Sequence, residues 1–226
     1  MKRIKIFCEG VTDQVFIADC LEVFYNIQIT RKVHSKDSNK WDISFGEHCQ
    51  VIEIGGCGKL SDKLYQDMFR DNVDEGGKNV VIFDADFAPD AVGAKKGTGN
   101  NGFENAKKKL ETLRKSGQFD FYLWPNNEID GEVENLLRQL VPSNKEKILK
   151  CIEDHQKCLK LSEIENVNIV DLKAQVGYYL HSVSKDSLAR NRNYKDADFW
   201  NLNENDCANL KKFKIFLDKF FVQVIL

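Results

Sequence analysis

Asn79-Val-Val-Ile-Phe-Asp-Ala-Asp-Phe87 is the stretch whose reading decides the fold. An apolar run directly ahead of a carboxylate reads as a short strand buried on both faces, the usual look of a parallel strand. The run breaks at Asp84 and Asp86. Residues two apart on an extended chain point to the same side, so this spacing predicts two carboxylates projecting together. Two uncompensated anions that close repel, and one of them would hold its proton. A divalent cation relieves the repulsion, and hard oxygen donors of this type suit Mg²⁺ or Mn²⁺. The same letters also fit a strand end whose aspartates only cap the next turn.

The segments on either side repeat a strand–helix rhythm. Upstream, Arg3 to Cys8 reads as a first strand ending at Glu9-Gly10, with Thr12 or Asp13 capping the helix that follows. That helix carries Val15, Phe16, Cys20, Leu21, Val23 and Phe24 on a face suited to packing on a sheet. Residues 26–47 are polar and read as an irregular or hairpin excursion. Cys49 to Gly55 forms a second strand closed by Gly55-Gly56, and Lys59 to Asn72 a second helix. Downstream of the central strand, Ala88 to Gly102 is rich in Gly and Lys and reads as a loop. Phe103 to Ser116 is then a helix with a basic outer face, Phe119 to Trp124 a fourth strand ended by Pro125, and Glu132 the start of another helix.

Four strand–helix repeats predict an α/β fold: a mostly parallel sheet with helices on both faces. Beyond Pro142 the pattern turns helical, over Asn144–Leu161, Val170–Ser182 and Asp206–Phe221, with Val222–Leu226 as a candidate final strand. The expected organisation is an α/β domain over 1–141 and a helical C-terminal extension over 142–226 packed on it. A chain of 226 residues with 15 Phe can build a real core, and 3 Pro leave little room for linkers. The formal net charge of −2 argues against a grip on long nucleic acid by an overall basic surface, so any such grip must be local. The N-terminus lacks the apolar run of a signal peptide and no window approaches a membrane span. Seven cysteines at irregular spacing read as reduced thiols, and the expectation is a cytoplasmic protein without membrane contact.

Ligands of open parallel sheets bind beyond the carboxyl ends of the strands. To that rim the sequence delivers Glu9, Gly55-Gly56, Asp84 with Asp86, and finally Asp130 with Glu134, four residues apart as on one helical face. This order resembles the Toprim domain, a Rossmann-like fold shared by topoisomerases, bacterial primases and the overcoming-lysogenization-defect (OLD) nucleases. The motifs that carry the resemblance are Glu9-Gly-Val-Thr-Asp13, Gly55-Gly56 and Asp84-Ala-Asp86. Trp124-Pro125, then Asp130-Gly-Glu-Val-Glu134, and the closing Phe199-Trp-Asn-Leu with Leu210 to Leu217 are similar to a small stand-alone Toprim-related family of unknown function. The resemblance implies that Glu9 binds metal or exchanges a proton with a reacting oxygen, and that Asp84 and Asp86 hold Mg²⁺ or Mn²⁺. Glu134, with Asp130, would complete the shell or hold a second ion, and Asp13 either joins it or caps its helix. Gly55 and Gly56 let the backbone approach a phosphate, although a sharp turn explains them equally. Lys95 and Lys96, beside the site, would neutralise a phosphate or stay solvated. The implied activity is metal-dependent phosphoryl transfer on nucleic acid, nuclease-like. The alternative is a binding or regulatory module for a nucleotide or nucleic acid, without turnover, and a third option is a subunit whose partner protein supplies a missing group.

Other signals point to structure. Gly97 to Gly102 matches a dinucleotide fingerprint but follows a loop where that motif needs a strand. Cys151, His155 and Cys158 share a helical face and read as a core-facing stripe, since structural zinc draws four ligands from separate elements. Arg190, Arg192, Lys195, Lys211, Lys212 and Lys214 are candidates for phosphate contact, with Tyr194 or Trp200 stacking a base. Against that, Phe213, Phe216, Leu217 and Phe220 make the last helix an ordinary amphipathic one.

Overall fold

The computed structural model of the chain describes residues 3–35, 38–88, 101–162, 164, 167, 169–184 and 193–225. One six-stranded sheet is formed by β1 (Ile4–Cys8), β2 (Thr30–Ser35), β3 (Ser38–Phe45), β4 (Cys49–Glu53), β5 (Lys78–Asp84) and β6 (Phe119–Trp124), of which β1, β4, β5 and β6 are the four strands expected above and β2 and β3 come from the polar stretch. Their order is β2-β3-β4-β1-β5-β6. β4, β1, β5 and β6 run parallel, while β2 and β3 form an antiparallel hairpin against β4, so residues 26–47 resolve the sequence ambiguity in favour of a hairpin. Among the described residues, seven α-helices accompany the sheet: α1 (Val11–Tyr25), α2 (Lys63–Asp74), α3 (Phe103–Gly117), α4 (Val133–Gln139), α5 (Glu146–Leu161), α6 (Leu172–Val183) and α7 (Ala208–Ile225).

Alternation along the central strands divides the core in two. Ile4, Ile6 and Cys8 of β1 and Val80 and Ile82 of β5 pack with Phe16 and Leu21 of α1 and with Leu210, Phe213 and Leu217 of α7. Phe7, Val81 and Phe83 project the other way, against Phe69 of α2 and Phe103 and Leu110 of α3. A strand stretch with both faces covered is apolar on both, which is why Ile6 to Cys8 of β1 and Val80 to Phe83 of β5 read as runs in the sequence, with Lys5 and Asn79 only at their starts. The C-terminal helices share the first of these cores, with Phe213 against Trp124 at 4.6 Å and against Tyr122 at 5.2 Å between ring centroids.

Three local readings are corrected. The final residues do not form a strand, because α7 runs helical to Ile225. Tyr194 and Trp200 are buried against Phe16 and Tyr179 as well as each other, so neither ring is offered to a base. Cys151, His155 and Cys158 lie on the outer side of α5, whose inner side instead presents Ile148, Leu149, Ile152 and Gln156. Three of the basic residues near the tail are paired, Lys195 with Glu22, Lys212 with Glu128 and Lys214 with Asp218, whereas Lys211 is exposed and makes no ion pair with a described carboxylate. Arg190 and Arg192 lie outside the described residues. Among the described residues, no helix is long and apolar enough to cross a membrane.

Candidate functional site at the strand ends

The helix after β1 covers one face of the sheet and the helix after β5 the other, so their connections part at the carboxyl ends of these neighbouring strands. Such a parting opens a crevice in a parallel sheet, and it is where ligands bind. Glu9 leaves β1 at this point. Gly55 and Gly56 leave β4 beside it, held by hydrogen bonds from Ile54 N to Cys8 O (3.0 Å) and from Gly55 N to Glu9 O (2.9 Å). Gly56 has φ of +117°, and a Cβ there would lie 3.8 Å from Glu9 Oε1. The pair thus makes the turn and brings backbone up to the Glu9 carboxylate, while the Gly55 amide is already engaged by Glu9 O.

Asp13 does not begin its helix. Gly10 is the N-cap of α1, and Asp13 reaches back from the first turn so that its Oδ2 accepts from Gly10 N at 3.1 Å. Its Oδ1 accepts from Trp124 Nε1 at 3.0 Å. Asp13 is therefore a brace between the β1 and β6 ends, only 5% exposed. Burial, then the nearby Glu134 and Glu9 charges, push its carboxyl up to about 7.

Asp84 continues the row of Val80 and Ile82 on the α1 side of β5. Val133 N, at the start of α4, donates to its Oδ1 at 2.8 Å. Burial and the charges of Asp13, Glu134 and Glu9 hold its carboxyl well above the usual range. Asp86 breaks the expected alternation. β5 ends at Asp84, and Asp86 takes a left-handed backbone (φ 58°) in a bridge to Gly131, whose N donates to Asp86 O at 2.9 Å. The two aspartates therefore do not project together from a strand. Asp84 belongs with Asp13 and Glu134, whereas the Asp86 charge reinforces burial in raising Glu9.

Glu134 sits in the first turn of α4, 6% exposed, and burial raises its carboxyl. Asp130 does not share its helical face, because α4 starts only at Val133. The Asp130 carboxylate takes Phe103 N on Oδ1 (2.7 Å) and Ala88 N on Oδ2 (3.0 Å). It clamps the two ends of the segment between β5 and α3. Lys95 and Lys96 lie in that segment, outside the described residues.

Two groups went unnoticed in the sequence. Lys173, near the start of α6, pulls Glu9 and Glu134 back toward their charged forms, and Lys109 of α3 does so for Glu9. No local pattern marks either lysine, since each reaches the rim from a helix remote in sequence. Among the described residues, no three His, Cys, Asp or Glu side chains converge closely enough to hold a metal ion as they stand.

A family model described as a protein of unknown function, DUF3226, matches residues 3–222. The chain belongs to the DUF3226 family. The match takes in the carboxylate rim and both lysines, together with most of α7, so sheet and C-terminal helices fall within one family unit. No curated protein and no solved structure matches this DUF3226 chain.

Proposed function

We propose that the DUF3226 chain is a Toprim-like enzyme that carries out Mg²⁺- or Mn²⁺-dependent phosphoryl transfer on nucleic acid, in the manner of a nuclease. The observation that carries this reading is the set of carboxylates at the β1/β5 crevice, with Glu9, Asp13, Asp84 and Glu134 each raised by burial and each also by another carboxylate's charge. Such an assembly costs folding energy unless a ligand of opposite charge repays it, and perturbed acids of this kind concentrate at working sites.

The donor set is all hard oxygen, which fits Mg²⁺ or Mn²⁺ and not a soft metal. Mg²⁺ is commonly held through one or two carboxylates with water completing the shell, so a preformed cage is not needed. Asp84, anchored by the Val133 amide, and Glu134 would hold the ion, while Asp86 stands with Glu9. When bound, it would supply polarisation of a phosphate and a water of lowered pKa. Glu9 stands at the rim with its carboxyl raised by burial and by the Asp86 charge, in the direction that suits a group that takes and returns a proton. Lys109 and Lys173 would offset phosphate charge on either side. Asp13 keeps the rim's geometry by tying Gly10 to Trp124.

The test is cleavage of single- and double-stranded DNA and RNA with Mn²⁺, comparing the natural chain with Asp84→Asn. The amide isostere keeps an acceptor for Val133 N and removes the charge. Loss of cleavage in the variant supports the reading. Equal cleavage by both proteins overturns the site. Mn²⁺ binding to the natural chain without cleavage of any substrate replaces the enzyme with a metal-dependent binding module.

A further inference from the structure

Along the outer edge of β6, between α3 and α7, lies a cleft of about 220 Å³ lined by Phe103, Lys107, Arg114, Phe121, Phe216 and Lys219, with Asp120 and Asn127. Its size is below that of drug-sized pockets and suits one flat ring system. Arg114 is neutralised by Asp120 at 2.6 Å. Lys107 and Lys219 make no ion pair with a described carboxylate. Each lies instead over an aromatic ring of the cleft, Lys107 over Phe103 at 5.7 Å and Lys219 over Phe216 at 5.3 Å. This sets them apart from Lys195, Lys212 and Lys214, which are all paired. The half-buried Phe121 ring, with unneutralised cations on either side of the cleft, is what a base and its phosphates require.

The cleft also adjoins the carboxylate rim. Phe103 N donates to Asp130 Oδ1, and the next residue, Gly131, donates to Asp86 O. Phe103 of the cleft wall is thus tied to Asp86 through two hydrogen bonds and one peptide link.

We propose that this cleft binds single-stranded nucleic acid, a base entering against Phe121 and the flanking phosphates resting on Lys107 and Lys219, and that the strand runs from there to the carboxylates. The strand's destination rests on the proposed function, whereas its binding rests on the cleft alone. A free nucleotide shares this chemistry, and the experiment separates the two sources.

Anisotropy of a dye-labelled oligothymidylate is followed in EDTA, so that binding is read apart from metal chemistry. The natural chain is compared with Lys107→Gln/Lys219→Gln, with Phe121→Leu and with Asp84→Asn, and thymidine monophosphate serves as competitor. Losing two phosphate contacts should weaken binding about tenfold or more and lower the salt-dependence slope by about 1.4. Phe121→Leu keeps an apolar wall without the ring face and should weaken binding by about fivefold or more. Asp84→Asn should bind at least as well as the natural chain. If the double lysine variant binds with natural affinity and slope, the proposal is overturned. It is also overturned if the natural chain does not bind the oligonucleotide, or if the monophosphate competes as well as the strand. The lysine pair is on the surface, so its result stands even where Phe121→Leu fails to fold. Strand binding lost in the lysine variant, with no cleavage by the natural chain under Mn²⁺, would uphold the cleft and remove the phosphoryl-transfer reading.

Discussion

Asp13 contributes to the pH behaviour of the metal-free protein. Its carboxyl is raised from an ordinary 3.8 to about 7, so between those values the folded chain holds a proton that the unfolded chain releases. Stability from this group is fully present below about pH 4 and is lost as pH rises through about 7, by at most about 1.4 kcal/mol per pH unit. Asp84, raised in the same direction, adds to the slope. Thermal melts in EDTA should therefore show stability falling across this window, and Mg²⁺ should restore it at the upper end. In Asp84→Asn the fall should be shallower and the Mg²⁺ effect absent; an unchanged Mg²⁺ effect would remove Asp84 from the ion's shell. Asp130 belongs to the opposite class. Asp130→Asn leaves one backbone amide without its acceptor and should cost about 1–3 kcal/mol in denaturant titrations. Mn²⁺ affinity by calorimetry should stay within error of the natural chain's, and a large loss there would return Asp130 to the metal site.

Helix α7 supports the site from beneath. Phe213 packs on Trp124, and Trp124 donates to Asp13. Phe213→Ala should destabilise the chain by about 3–5 kcal/mol, read from urea denaturation. A loss below about 1 kcal/mol would mean that α7 is only loosely attached. Elements such as this one were legible in sequence wherever a single physical pattern acted. β1 and β5 were readable because burial on both faces keeps Ile6 to Cys8 and Val80 to Phe83 apolar, and α7 because its aromatics recur at helical spacing. Patterns failed where tertiary contacts took over. Asp86 was assigned by strand alternation, but the pairing with Gly131 turns its backbone left-handed. Asp130 was placed on a helix that starts three residues later. The α5 stripe of Cys151, His155 and Cys158 was assigned inward because cysteine favours cores, yet the apolar side chains Ile148 and Ile152 decide which face turns inward. Lys109 and Lys173 were invisible, since nothing local shows which helix end meets a rim built by other strands.

The whole molecule combines these local outcomes into a distribution of thiols that can be read chemically. All seven cysteines are free. Cys8, Cys20, Cys49 and Cys207 are buried, in the shared core of the sheet, α1 and α7. Burial raises Cys8 and Cys20 well above the usual thiol range and pushes Cys49 up to about 12, which removes the reactive thiolate at neutral pH. Cys151 and Cys158 are exposed on α5, and Cys57 is half-buried beside the rim with its thiol also raised. Timed alkylation of the native protein, read by peptide mass spectrometry, should therefore modify Cys151 and Cys158 first and Cys57 more slowly. The four core thiols should react only as the fold opens, together and at a single rate, because the sheet and the C-terminal helices share that core. Early labelling of Cys207 alone would show the C-terminal helices opening independently of the sheet. Slow labelling of Cys151 would mean that α5 is covered, and would put the cysteine–histidine stripe back into an interface.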